Sequence, residues 1–203
     1  MTLRTIVSLP EPVLRRKARP VTAFDKNLQT LIDDMIETMR AAPGVGLAAP
    51  QVNVPERVIV VEYAEEEPGA GEPAEENPPE TPQPGFDKLS PAAQGLGSGQ
   101  RPKPKPRLYV LVNPEIVKSS NETELGVEGC LSIPGLVGEV ERNLMVQVKG
   151  LNRRGRPTKV KAEGWLARIF QHEVDHINGV LFTDRAARVW RPEPEDMDVE
   201  ERV

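Results

Sequence analysis

The chain has 203 residues, of which 38% are hydrophobic, and a formal net charge of −5, with 21 prolines and 16 glycines. This length fits one domain with additional segments, and the proline and glycine content predicts that part of the chain does not pack. The apolar runs are far too short to span a bilayer, residues 1–12 lack a signal-peptide stretch, and the single cysteine excludes an intramolecular disulfide. We therefore expect a protein of the reducing cytoplasm with no membrane partner.

The charge is unevenly distributed along the chain. Residues 62–107 and residues 191–203 each carry a net charge of −4, which leaves the remainder at +3. A bias this small does not predict direct, specific binding to nucleic acid.

The first periodic segment predicts a helix. Apolar residues recur at helical spacing from Asp25 to Ala41, with Asp25 as N-cap, and Pro43-Gly44 would end the helix. The β-branched run Val58–Val61 then predicts a buried strand.

Residues 64–107 differ in composition from the rest of the chain. They hold ten prolines, six glycines and few large apolar residues, and therefore predict a long flexible insert. We expect the flanking strands, Val58–Val61 and Leu108–Val112, to be neighbours in one sheet. The insert would thus interrupt a single domain of residues 1–190, and residues 191–203 would form a loose acidic tail.

The second half predicts strands followed by one helix. A turn is predicted at Asn113-Pro114 and a helix over residues 164–178, with Gly179 after its end. This order of elements indicates an α+β domain. The predicted strands are Leu108–Asn113, Glu115–Ser119, Val137–Glu141, Leu144–Gly150 and Thr158–Ala162.

Both histidines of the chain lie in the predicted C-terminal helix, in the run His172-Glu173-Val174-Asp175-His176. Histidines at i and i+4 share one helix face and can bind one metal ion. Glu173 falls on the apolar stripe of this helix, where burial would raise its pKa and suit it to proton transfer near pH 7. Asp175 points away from this face of the helix. We expect it to make a hydrogen bond at the surface or to a residue behind the metal ligands, rather than to touch the metal.

A catalytic metal site usually has three protein ligands, so a third is required. The single cysteine, Cys130, is the candidate, although a lone cysteine is more often an inert buried residue. One sulfur and two imidazoles suit Fe²⁺, Zn²⁺, Co²⁺ or Ni²⁺ and exclude Mg²⁺ and Ca²⁺.

Three segments together resemble the signature motifs of the peptide deformylases, and the resemblance covers residues 5–62 and 108–190. It implies mixed or antiparallel sheets wrapped around a central metal-binding helix, and removal of the formyl group from N-formylmethionyl peptides of newly made proteins. It also implies Cys130, His172 and His176 as ligands of one ion, with Fe²⁺ expected. The segments are Gly44-Val45-Gly46-Leu47-Ala48-Ala49-Pro50-Gln51, Glu128-Gly129-Cys130-Leu131-Ser132 and Gln171-His172-Glu173-Val174-Asp175-His176.

The resemblance further implies roles in catalysis. Glu173 would transfer protons, and the side-chain amide of Gln51 and the backbone N–H of Leu131 would stabilise the developing oxyanion. A peptide could bind as an added strand, because glycines allow a close backbone approach. Arg168 departs from the expected pattern, since an aliphatic residue is expected there near the substrate side-chain pocket. The implied substrate-binding residues are Gly44, Val45, Gly46, Gly129 and Ile169.

Two alternative functions share parts of this pattern. A zinc endopeptidase would use the same histidines and glutamate but take a third ligand downstream of the helix, and a binding module could hold a structural metal. The partners expected for a deformylase are nascent formylated polypeptides and, transiently, the ribosome.

Overall fold

The computed structural model describes residues 2–64 and 105–192 of the chain. The chain divides into two compact units, one combining Met1–Tyr63 with Arg107–Val203 and the other spanning Ala64–Pro106. Nearly all of the second unit lies outside the described residues, as does most of the predicted acidic tail. The flexible insert and the loose tail therefore stay predictions.

Two α-helices occupy the predicted positions, with ends within one residue of those expected. The first, α1, spans Lys26–Ala41, and Asp25 caps it by accepting a hydrogen bond from the backbone N–H of Leu28 at 3.1 Å. The second, α2, spans Gly164–Ile177. Gly179 follows at φ +77°, a left-handed conformation that favours glycine. No helix of the described residues is long and apolar enough to cross a membrane.

Eight strands of the described residues form two antiparallel sheets. Their bounds are β1 Gly46–Ala48, β2 Val58–Tyr63, β3 Arg107–Ser119, β4 Thr123–Gly129, β5 Val137–Asn143, β6 Met145–Leu151, β7 Pro157–Glu163 and β8 Arg188–Trp190. One sheet has the order β1-β2-β3-β6-β7 and the other the order β4-β5-β8. β1 and β4 are therefore edge strands. The expected pairing of the strands that flank the insert is confirmed, because Val58 pairs with Val112 and Tyr63 with Arg107.

The predicted turn at Asn113-Pro114 is wrong, because these residues lie inside the continuous strand β3. The register shifts between Val112 and Glu115, which marks a β-bulge, and a bulge accommodates a proline that cannot donate to the ladder. Asn113 adopts φ +54° and exchanges two side-chain hydrogen bonds with the backbone of Val21, at 2.8 and 2.9 Å. The bulge thus uses the residue types that also make turns.

Helix α2 lies at the centre of the fold and contacts strands of both sheets. Phe170 and Ile177 belong to a core cluster with residues of β2, β3 and β6, whereas α1 packs in a second cluster with β1 and β2. A third, smaller cluster joins Val140 of β5 to Phe182 after α2. The α+β fold with a central C-terminal helix and a second helix near the N-terminus is confirmed.

Candidate metal centre and active site

Helix α2 and the end of β4 bring three metal-binding side chains together. His172 and His176 lie one turn apart on α2, with ring centroids 4.9 Å apart, and Cys130 directly follows β4. The ligand atoms of these three residues all lie within 4.8 Å of one another. Cys130 Sγ is 3.2 Å from Nε2 of His176.

Two further predicted residues lie against this cluster. Gln51 is buried in a short 3-10 helix after β1, and its Oε1 accepts a hydrogen bond from the backbone N–H of Ala48 at 2.8 Å. This contact orients the amide so that Nε2 points at Cys130 Sγ, 3.6 Å away. Leu131 follows Cys130 in a turn, and its backbone N–H has no acceptor among the described residues. Two N–H donors thus adjoin the cluster.

Glu173 is a buried carboxylate, 4% exposed, and its Oε2 has no hydrogen-bond partner in the described part of the chain. Burial is the largest influence on the pKa of Glu173 and raises it. The charge of His172 lowers this pKa, whereas the charge of Glu128 raises it further. The net result raises the pKa of Glu173 to about 7. An unpartnered buried carboxylate beside a cluster of metal-binding donors is costly unless it has a function there.

The two histidines differ in proton affinity. Burial, reinforced by the charge of His172, lowers the pKa of His176 well below its usual range, so its ring is neutral. Burial also opposes protonation of His172, but hydrogen bonds to Cys130 and Glu128 outweigh it and raise the pKa of His172 to about 10. Because a coordinating nitrogen must be deprotonated, we expect a metal to displace a proton from this cluster.

Glu128 fixes the orientation of His172 and is a functional residue that the sequence analysis did not assign. Its Oε2 lies 2.9 Å from Nδ1 of His172, while Arg142 donates to both carboxylate oxygens at 2.8 and 3.0 Å. With Nδ1 held in this way, Nε2 of His172 is left to face the cluster. A metal-binding histidine commonly hydrogen-bonds to a carboxylate through its second ring nitrogen. The sequence signal for Glu128 is therefore an acidic residue two positions before the candidate ligand Cys130.

Asp175 is buried, 7% exposed, and a surface position for it is therefore wrong. It accepts hydrogen bonds from Arg142 at 2.6 Å and from Arg185 at 2.6 and 2.7 Å. Asp175 is not one of the clustered metal-binding residues, as expected. It is tied to the cluster indirectly, through Arg142 and Glu128.

The predicted substrate-binding residues lie at two strand edges and in the core. Gly46 begins the edge strand β1, Val45 before it is 42% exposed, and Gly129 ends the edge strand β4. Gly44 faces Leu131, whose Cδ1 would lie 3.0 Å from a Cβ at this position. Ile169 is 5% exposed within the core cluster of α2. Gly46 and Gly129 thus lie on edge strands, whereas Gly44 precedes β1 with its N–H bonded to Met39 O, and Ile169 is buried in the core.

The donor set fits one borderline divalent cation, since a thiolate and two imidazoles are ligands of that class. Within residues 2–64 and 105–192, these three residues are the one group suited to a metal, and no acidic residue downstream of His176 joins them. A structural zinc site is closed by four protein ligands. The three-residue donor set therefore argues against a structural metal site, which needs four protein ligands. It also argues against a peptidase site whose third ligand lies downstream of the helix.

Comparisons with known proteins identify the family. A family model described as polypeptide deformylase matches residues 3–191. The chain is 46% identical over 203 residues to a peptide deformylase of Symbiobacterium thermophilum, covering 100% of this chain and 75% of that protein.

Solved structures agree with this assignment. The crystal structure of peptide deformylase from Thermotoga maritima matches with a TM-score of 0.68 and 37% identity, covering 93% of this chain and 100% of that one. A Met-Ala-Ser-bound class I type b peptide deformylase from Acinetobacter baumannii matches with a TM-score of 0.69 and 36% identity, covering 91% and 98%. The chain therefore belongs to the polypeptide deformylase family, metal-dependent hydrolases that act on N-formylmethionyl peptides.

Proposed function

We propose that this chain deformylates nascent polypeptides with Cys130, His172 and His176 as the ligands of one divalent ion and Glu173 as the group that transfers protons. The observation that carries this proposal is the position of Glu173. It is a buried carboxylate with an unpartnered oxygen, next in sequence to one member of a three-residue cluster whose ligand atoms lie within 4.8 Å of one another.

The ligand set is one thiolate and two imidazoles, with His172 oriented by Glu128. Among the ions that suit it, we propose Fe²⁺, with Zn²⁺, Ni²⁺ and Co²⁺ as replacements. When bound, such an ion acts as a Lewis acid and lowers the pKa of a coordinated water.

Glu173 supplies the proton transfers. Its carboxylate accepts a proton from the attacking water as the water oxygen forms a bond to the formyl carbon. When the carbon–nitrogen bond breaks, Glu173 returns the proton to the departing amine, and formate is released. A carboxyl group whose pKa lies near 7 can both accept and donate at neutral pH.

Gln51 and Leu131 stabilise the negative charge that develops on the formyl oxygen. The Gln51 amide is fixed by Ala48, which leaves its N–H groups directed toward the cluster. The backbone N–H of Leu131 has no acceptor in the described chain. Donors that are oriented before the reaction lose no reorganisation energy in the transition state.

The substrate backbone adds as a strand along β1. The N–H of Glu62 donates to Val45 O at 2.9 Å, so the alternation of an antiparallel pair directs the backbone groups of Gly46 away from β2. Gly129 offers a second backbone edge beside Cys130. Recognition through backbone groups tolerates varied residues after the formylmethionine, as an enzyme acting on most new chains requires.

One experiment separates this function from its alternatives. The protein is purified without oxygen, and its metal content and its formate release from formyl-Met-Ala-Ser are measured on the same sample. We expect near-stoichiometric metal and formate release without cleavage of internal peptide bonds. Internal cleavage would indicate a peptidase, and a metal-loaded protein with neither activity would contradict the proposal.

We also propose that the enzyme meets its substrate in the cytoplasm through transient contact with the ribosome, made by the β6–β7 hairpin. Residues 144–162 contain six lysines and arginines and no acidic residue. Lys149 lies directly opposite Lys159 in the hairpin. Glu115 pairs with Lys149 at 3.0 Å, which leaves the Lys159 side of the hairpin to offer its positive charge. Arg154, Arg156 and Lys159 are exposed and form no ion pair with the described residues. Such a surface fits RNA phosphates without sequence specificity.

Co-sedimentation with ribosomes at low and moderate salt tests this contact. Changing Arg154, Arg156 and Lys159 to glutamine should weaken binding and flatten its salt dependence, with formate release from a short peptide unchanged. The matched control changes three exposed cations elsewhere, Arg16, Lys17 and Lys26. Equal loss of binding in both variants would contradict a role for the hairpin.

A further inference from the structure

Arg168 is a buried cation that the proposed reaction does not use. It lies on α2 one turn before His172 and is 5% exposed. A buried guanidinium is costly unless its donors are paired, so its contacts indicate why it is there.

The guanidinium of Arg168 links α2 to strands β4 and β5. Nη1 donates to Val140 O at 2.8 Å and to Glu128 Oε1 at 3.0 Å, with a longer contact to Gly126 O at 3.4 Å. Nη2 donates to Glu124 O at 2.8 Å. Its acceptors therefore lie along the edge strand β4 and on β5.

Gly126 provides the space that this side chain occupies. A Cβ on Gly126 would lie 2.7 Å from Cζ and 2.7 Å from Nη2 of Arg168, closer than carbon atoms approach in proteins. A side chain at position 126 and the observed position of Arg168 are therefore incompatible. The two residues form a matched pair across the interface of α2 and β4.

This pair acts on the carboxylate that orients His172. Oε1 of Glu128 accepts from both Arg168 and Arg142, while Oε2 accepts from Arg142 and faces Nδ1 of His172. Glu128 also lies two residues before Cys130, at the end of the strand that Arg168 holds. A change at Arg168 would thus reach both the orientation of one histidine and the position of the cysteine.

We infer that Arg168 is a positioning residue for the metal site: seated against Gly126, it holds β4 and Glu128 against α2 and so fixes Cys130 relative to His172 and His176. The inference rests on the proposed ligand set. It assigns a function to a residue that departs from the aliphatic side chain expected at this position.

The test separates positioning from packing with Co²⁺ as the probe. The variants are Arg168→Leu, Gly126→Ala, and the double variant Arg168→Leu with Gly126→Val, which refills the space with apolar groups. For each, the thermal unfolding of the metal-free protein, the Co²⁺ affinity and the absorption spectrum of the Co²⁺-loaded protein are measured. Arg153→Leu is the control, because Arg153, though more exposed than Arg168, also donates to two side chains, Gln29 and Asp33, away from the cluster.

We expect Arg168→Leu and Gly126→Ala to weaken Co²⁺ binding about tenfold or more and to shift the spectrum, as the loss of residues that orient metal ligands does. The double variant should regain thermal stability but not Co²⁺ affinity. Arg153→Leu should leave the affinity and spectrum unchanged. Wild-type affinity and spectrum in Arg168→Leu, or their return in the double variant, would overturn the inference. A wild-type spectrum without a thiolate-to-cobalt band would instead contradict the proposed ligands.

Discussion

Gly46 and Glu173 are complementary in shape: a Cβ on Gly46 would lie 2.4 Å from Oε1 of Glu173. The glycine at the start of β1 therefore leaves room for the buried carboxylate, in addition to exposing a backbone edge. The sequence predicts that the substrate backbone comes close to this glycine. In the structure the Glu173 side chain also comes close to it.

Replacing Gly46 with alanine should displace the Glu173 carboxylate and lower kcat by about a hundredfold, since a shift of about 1 Å in a catalytic group has effects of this size. The backbone at Gly46 has no positive φ, so its conformation permits alanine and the clash falls on the Glu173 side chain. Metal content should remain at the wild-type level, because no ligand is changed. Wild-type turnover in Gly46→Ala would show that the position of Glu173 is not critical.

Replacing Cys130 with serine should remove most of the bound metal after dialysis, because a hydroxyl is a far weaker ligand for a borderline cation than a thiolate. Metal analysis of the dialysed protein checks this. Ser132→Ala is the matched control, since it changes a buried residue two positions away that is not among the clustered donors. Stoichiometric metal in Cys130→Ser would place the third ligand elsewhere.

The ionisation of Glu128 should make the stability of the metal-free protein depend on pH. Burial alone would raise the pKa of Glu128, but hydrogen bonds with Arg142 and His172 outweigh burial and lower it to about 2 from 4.5. A lowered pKa stabilises the fold above about pH 4.5, and this contribution, about 3 kcal/mol, is lost as the pH falls toward 2.

Denaturant unfolding of wild type and Glu128→Gln at several pH values measures this contribution. The difference in unfolding free energy between the two proteins should shrink between pH 4.5 and 2, because glutamine does not titrate. A difference that stays constant over this range would show that Glu128 is not held ionised by its neighbours.

Deleting residues 65–104 and joining Ala64 to Lys105 through an inserted Asn-Gly pair, which gives a five-residue connection between Tyr63 and Arg107, should preserve the fold and the activity toward short peptides. Tyr63 and Arg107 are paired across β2 and β3, so a short hairpin turn can close the gap. Near-ultraviolet circular dichroism and formate release check the result. Loss of activity with a native spectrum would show that this segment contributes to the site, against the single interrupted domain that we propose.

The sequence predicts both helices and the longer strands rich in β-branched or apolar residues, and misses β1, β4 and β8. Both helices could be predicted because apolar residues recur on one face of each. β4 was missed because its residues, Thr123–Gly129, are mostly polar or glycine, and β1 and β8 because they have three residues each. Their strand conformation depends on pairing with partners distant in sequence.

The metal cluster could be predicted because its residue types are rare in this chain. The pairing of the charged residues around it could not. Arg142 and Asp175 are separated by 33 positions, and no spacing rule links them. The sequence marks Arg168 only as a departure from the expected aliphatic residue, because the space for its side chain comes from the absence of one at Gly126. Such pairings exist only in the folded chain.

Formate release by metal-loaded Glu173→Gln tests the central claim most directly. Glutamine keeps the shape of the side chain and removes no ligand, so metal content should equal that of wild type. Turnover of formyl-Met-Ala-Ser, measured on the same samples, should fall by about 10²- to 10⁴-fold, because the proton-transferring group is lost. Turnover near the wild-type value in a fully metal-loaded Glu173→Gln protein would contradict the role of Glu173 and with it the proposed mechanism.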